Sequence, residues 1–133
     1  MNVVTTKVSL TVQDVGASSR FFTTHLGFRE TELAEGYVCL RRDDASAEIA
    51  LSERDLELAP PGRLGQGLSD LVVTLVVTDV IAEYERLRRE GAPVTGPLHQ
   101  EPWGELLFQL TDPSGVVVQL TEWVPPAGAP EHN

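Results

Sequence analysis

The sequence predicts an α+β protein built of two βαβββ repeats, each a mixed sheet with one helix on its outer face. Three observations lead there. The stretch Lys7–Val15, KVSLTVQDV, returns as Val72–Val80, VVTLVVTDV, with five of nine positions identical. Each copy runs into a segment with apolar residues at helical spacing that stops at a glycine, Gly27 or Gly91. Three strand-like pieces then follow each helix. A repeat offset by 65 residues in a chain of 133 makes two structural halves.

The elements follow in order. Val3–Val12 alternates and is rich in Val and Thr, which marks a strand with Leu10 and Val12 on one face and Lys7, Ser9 and Thr11 on the other. Asp14 can accept the free amide hydrogens of a first helical turn, and Ala17, Phe21, Phe22 and Leu26 then recur at helical spacing. Phe28–Leu33, Tyr37–Arg41 and Ala47–Ser52 read as strands, with turns at Gly36 and Asp43-Asp44. Glu53–Ser69 carries Pro-Pro and three glycines and reads as a linker. The plan then repeats: a strand Asp70–Thr78, a cap at Asp79, and a helix Val80–Glu90 burying Ile81, Tyr84 and Leu87. Strands Val94–His99, Glu105–Thr111 and Val116–Trp123 complete it, with a loop at Gln100–Gly104 and a tight turn at Asp112-Pro113-Ser114-Gly115. The expected organisation is a first repeat at 1–53, a linker at 54–69, a second repeat at 70–124 and a disordered tail at 125–133, together one structural domain.

Composition narrows the function. Twenty acidic against ten basic side chains give a net charge of −10, which argues against nucleic acid and anionic membranes as partners. No run of 18 apolar residues offers a membrane span, and no charged start followed by an apolar stretch resembles a signal peptide. The single Cys39 cannot form an internal disulfide, so the expected location is the cytoplasm. His25, His99 and His132 show no ligand spacing, and nothing resembles a Ser-His-Asp set or a phosphate-cradling loop.

The paired βαβββ, the opening V-x-L-x-V-x-D, the helix ending F-F-x-x-x-L-G-F at Phe21–Phe28 and the close D-P-x-G-x-x-x-x-L at Asp112–Leu120 together resemble one family. It is the vicinal oxygen chelate superfamily, which includes glyoxalase I, extradiol dioxygenases, fosfomycin-resistance transferases and bleomycin-resistance proteins. The resemblance covers residues 3–123. It implies that each sheet curls into a cup, and that the protein dimerises, with cups completed across chains, with or without an exchange of halves. The family's enzymes hold a divalent metal in that cup with His, Glu or Gln. Those ligand positions fall here on Lys7, Val72, Gln119 and, near the end of the first half, Glu48. An ammonium has no lone pair and valine no ligand atom, while a catalytic transition metal usually takes about three protein ligands. The expectation is no metal and no cofactor.

With the ligand positions facing inward, alternation assigns the rest of the cup. Its candidate ligand-binding residues are Lys7, Thr11, Tyr37, Cys39, Glu48 and Ala50 from the first half. Val72, Thr74, Trp103, Leu107, Gln109, Gln119 and Trp123 come from the second. An aliphatic floor with a few polar groups and aromatic edges is how sites for small organic molecules are usually built. Trp123 has two readings, stacking on a planar ligand or closing the core, and Trp103 is either a lid or a dimer contact. Lys7 either pairs with Glu48 where the metal would have been or reaches out to the cup mouth. Cys39 reads as a small buried hydrophobe, although it faces the cup.

Three classes of function follow. In the first, the protein binds without catalysis and confers antibiotic resistance by sequestering a hydrophobic or aromatic natural product of bleomycin, mitomycin or enediyne type. In the second it is a glyoxalase- or dioxygenase-like enzyme, a lyase, transferase or oxygenase acting on a small organic substrate. An interaction module whose cup is filled by its own side chains is a third.

Overall fold

The computed structural model of the chain describes residues 1–53 and 71–124. The expected linker at 54–69 and tail at 125–133 lie outside the described residues. Among the described residues, two helices and eight strands run in the order β1 (Lys7–Val12), α1 (Val15–Leu26), β2 (Arg29–Ala34), β3 (Tyr37–Arg41), β4 (Glu48–Glu53), β5 (Val72–Val76), α2 (Val80–Arg89), β6 (Val94–Gln100), β7 (Glu105–Thr111) and β8 (Val117–Trp123). They form two four-stranded sheets of matching order, β1-β4-β3-β2 and β5-β8-β7-β6. In each, the first strand pairs in parallel with the last and the remaining pairings are antiparallel. Each sheet is mixed, curved and open, and the fold is the expected α+β double repeat. The chain divides into two compact units, the first containing β1–β4 and the turn Pro113–Gly115, the second β5–β8. Among the described residues no helix is long and apolar enough to cross a membrane, a statement that does not extend to β-barrels.

The helices start where the repeated aspartates place them. Asp14 Oδ1 accepts the Ala17 N–H at 3.0 Å, and Asp79 Oδ1 accepts the Ala82 N–H at 3.1 Å. A second carboxylate reaches each helix start from the last strand of its repeat. Glu53 Oε1 lies 3.5 Å from the Val15 nitrogen, and Glu122 Oε1 accepts the Val80 N–H at 3.0 Å. At the other end of α1, Gly27 adopts φ +72°, and the Arg42 guanidinium donates to the Leu26 carbonyl beside it. A side chain at position 27 would collide with that guanidinium.

The first core is Leu10, Val12, Phe21, Phe22, Leu26, Val38, Leu40, Ile49 and Leu51, all buried. Phe22 sits edge-on between Phe21 and Phe28. The second comprises Val80, Leu87, Phe108, Leu110, Val118 and Leu120. Two expectations are corrected, the start of the first strand and the inward face of α2. The first strand begins at Lys7 rather than Val3, because its neighbour β4 begins at the paired Glu48, whose N–H donates to the Thr6 carbonyl at 2.9 Å and ends the ladder there. Ile81 is 47% exposed, while Val80 is fully buried. The inward stripe of α2 is thus Val80, Tyr84 and Leu87, at i, i+4 and i+7. Leu75 and Val77 are only half-buried.

Candidate functional site

Each sheet has a face away from its helix, and twelve of the thirteen candidate residues lie on strands that build these two faces. In the first unit, register aligns Lys7 with Glu48, Ser9 with Ala50 and Cys39, and Thr11 with Ser52 and Tyr37. By alternation these side chains oppose Leu10, Val12, Ile49 and Leu51 in the core. Thr11 is exposed and Tyr37 half-buried, while Cys39 is fully buried and Ala50 is buried too.

Lys7 does not form the expected pair with Glu48. Its ammonium lies 3.6 Å from Glu32 Oε1, and Glu48 pairs instead with Arg41, at 3.7 Å. Because β1 and β2 are opposite edges of the sheet, the Lys7–Glu32 pair bridges a gap of three strand spacings, about 14 Å in a flat sheet. It crosses the face above β4 and β3. The Lys7 pKa is raised, first by the Cys39 sulfur, then by Glu32 and Tyr37, against a smaller desolvation effect. Glu48 Oε2 in turn lies 3.9 Å from Cys39 Sγ.

Glu32 was not among the expected residues, because the sequence conceals its face. The β2–β3 register shifts between Glu30, opposite Leu40, and Glu32, opposite Cys39. That bulge at Thr31 turns Glu32 onto the same face as Cys39 instead of the core side. Regular alternation from Glu30 would have set it opposite Val38.

In the second unit Thr74 and Gln109 flank Gln119, and Gln109 Nε2 donates to Gln119 Oε1 at 3.0 Å. Gly96 lies opposite Gln109, and a Cβ there would come within 3.1 Å of the Gln109 Cβ, so glycine makes room for the amide pair. Val72 is 43% exposed on the edge strand and Leu107 is buried. Glu105 organises the end of this face. It lies opposite Trp123, takes the Trp103 indole N–H on Oε1 at 2.6 Å, and takes the Thr121 hydroxyl on Oε2 at 3.1 Å. Trp103, on the loop between β6 and β7, keeps 56% exposure, and Trp123 is half-buried.

The end of β6 makes a pH-sensitive contact with that loop. His99 Nδ1 faces the Pro97 carbonyl and Nε2 faces Glu101 Oε1, both at 2.9 Å, so two acceptors meet the two ring nitrogens. Only the doubly protonated ring satisfies both, and the His99 pKa is raised, first by Pro97 and then by Glu101. Its stabilising contribution is therefore complete below the unfolded value of about 6.5 and is lost as pH rises through the higher folded one. Raising the pH from about 6 to about 8 is expected to loosen the loop and shift Trp103 emission. In His99→Gln the pH dependence should vanish, and a persisting shift would assign it to another group.

The four positions where the resemblance places metal ligands do not fit a metal. Lys7 carries an ammonium, Val72 has no donor, Glu48 is engaged by Arg41, and the Gln119 oxygen takes the Gln109 amide. Among the described residues no three His, Cys, Asp or Glu side chains are grouped to hold an ion. His132 lies outside the described residues.

A family model described as the Glyoxalase/Bleomycin resistance protein/Dioxygenase superfamily matches residues 4–120. Among solved structures, a glyoxalase/bleomycin resistance protein/dioxygenase from Nocardioides is 23% identical, with TM-score 0.73, over 100% of this chain and 91% of that one. TnmS3, an antibiotic binding protein from Streptomyces sp. CB03234, is 23% identical with TM-score 0.66, covering 92% and 97% of the two chains. The lactoylglutathione lyase from Agrobacterium tumefaciens is 19% identical with TM-score 0.68, covering 91% and 94%. At these identities the likeness is one of fold. No curated protein matches the sequence.

Proposed function

Because the chain belongs to the Glyoxalase/Bleomycin resistance protein/Dioxygenase superfamily, we propose that it is a non-catalytic binding protein that sequesters a hydrophobic or aromatic natural product. Bleomycin-, mitomycin- and enediyne-type compounds are the ligand classes, and antibiotic resistance is the outcome. One observation carries this reading. The positions that would serve metal chemistry are filled by an ammonium, a valine and two side chains already engaged within the protein. The sheet faces nevertheless keep aromatic and polar groups available to a small molecule. TnmS3, a similar fold, is itself an antibiotic binding protein. The reading includes a homodimer, favoured by the exposed Val72 and Val76 on edge strand β5, and a cytoplasmic location.

Trp103 is the aromatic group most open to a planar ligand, and the Glu105 hydrogen bond fixes its indole. Titration with bleomycin, mitomycin C and an enediyne, followed by Trp fluorescence, should give saturable binding for one of them. For that compound Trp103→Ala is expected to weaken binding about tenfold, as for one lost stacking contact, with unchanged thermal stability. No binding across the three classes, or unaltered affinity in the variant, would overturn the assignment.

The fold of the lactoylglutathione lyase keeps an enzymatic reading in view, a lyase acting on a small organic substrate. Stoichiometric metal in the purified protein, linked to turnover, decides for that reading against sequestration.

A further inference from the structure

At one end of the first sheet's free face is an open cavity of about 530 Å³, lined by Lys7, Glu32, Arg41 and Glu48 together with residues 3–6 and the β3–β4 turn. Its four charged groups alternate in sign. They form two ion pairs at 3.6 and 3.7 Å, whereas Arg29–Asp43 and Arg42–Asp44 close to 2.8 and 2.7 Å with hydrogen bonds. Lys7, Glu32 and Arg41 make no side-chain hydrogen bond to the described residues, and Glu48 receives only the Cys39 thiol at 3.9 Å. Apart from that thiol the cluster is held by ion pairs alone, without side-chain hydrogen bonds among the described residues, although the Glu48 side chain is only 14% exposed. The Lys7–Glu32 pair also crosses the face that a ligand would cover.

A group lying on this face must displace that pair. A neutral group would leave both charges unpaired, and a singly charged one would leave one of them so; desolvated unpaired charges are costly. Only a group carrying both signs replaces what it removes. We propose that this cavity binds a zwitterionic ligand derived from an amino acid or a short peptide, its carboxylate between Lys7 and Arg41 and its ammonium on Glu48 and Glu32. The proposal rests on the reading that this face holds a small molecule, and names the chemistry that anchors it. The aromatic remainder of such a ligand then extends along the face toward Tyr37, at the other end of β3 from Arg41.

The test uses the dipeptide L-phenylalanyl-L-phenylalanine, its N-acetyl derivative, which keeps only the carboxylate, and its methyl ester, which keeps only the ammonium. Calorimetry on the full chain should show the zwitterion binding at least about tenfold tighter than either derivative, as expected for one lost charge-assisted contact. Amide shifts should concentrate at Lys7, Glu32, Arg41 and Glu48. Arg41→Gln is expected to weaken the free dipeptide and the N-acetyl form while sparing the ester, and Glu48→Gln to weaken the free dipeptide and the ester while sparing the N-acetyl form. Equal affinities for the three probes, no binding by any, or shifts elsewhere overturn the proposal. The antibiotic titration separates the two claims. Antibiotic binding without dipeptide binding removes the zwitterion site and leaves sequestration standing. Charge-selective dipeptide binding with no antibiotic bound removes the hydrophobic natural product as ligand and leaves a site for peptide-like molecules.

Discussion

Phe108→Ala is expected to cost about 3–5 kcal/mol of stability, the range for truncating a fully buried phenylalanine. Phe108 has no exposed surface, lies on the inner strand β7 opposite Leu120, and meets the Tyr84 ring edge-on at 5.0 Å. It therefore joins α2 to the sheet. Since domains are stable by only about 5–15 kcal/mol, the variant should unfold at much lower urea or populate partly unfolded forms at room temperature. Ile81→Ala is the matched control. With the observed helix phase it should cost under about 1 kcal/mol, as a half-exposed surface change does. Equal losses in the two variants would mean that α2 buries Ile81, as its sequence suggested.

Asp112→Ala is expected to cost about 1–3 kcal/mol, the penalty for leaving a buried amide hydrogen without an acceptor. Asp112 is 3% exposed and opens the turn before β8. Its Oδ1 accepts the Val116 N–H at 2.7 Å, while its own N–H donates to the Val116 carbonyl at 2.8 Å. Val116 is itself fully buried, so water cannot readily replace the carboxylate. Asp112→Asn keeps an acceptor oxygen in place and should recover most of the loss in urea denaturation. A fully destabilised Asn variant would shift the role from that hydrogen bond to the negative charge.

The site was legible in proportion to how local its cause was. The alignment of Lys7 with Glu48, and of Thr74 with Gln119, follows from strand alternation and the repeat. The pairing of Lys7 does not. Adjacent strand positions suggested Glu48, yet Arg41 on β3 takes that carboxylate, and Glu32 from the far edge takes the lysine. The Gln109–Gln119 contact and the space that Gly96 leaves for it depend on a register that shifts along β6. The anchoring of Trp103 by Glu105 is a contact between near neighbours in sequence, but nothing in their spacing shows that the indole turns back onto that carboxylate.

By itself the sequence determined the two repeats, their capping aspartates and the faces of regular strands. These are set by interactions within a turn of helix or a few residues of strand, where side-chain period and hydrogen-bonding chemistry act directly. Only the tertiary structure decided that a bulge at Thr31 turns Glu32 onto the face of Cys39. From there Glu32 meets Lys7 across four strands. A one-residue slip reverses every side chain beyond it, and whether it occurs depends on how β2 pairs with β3, which no local pattern in either strand records.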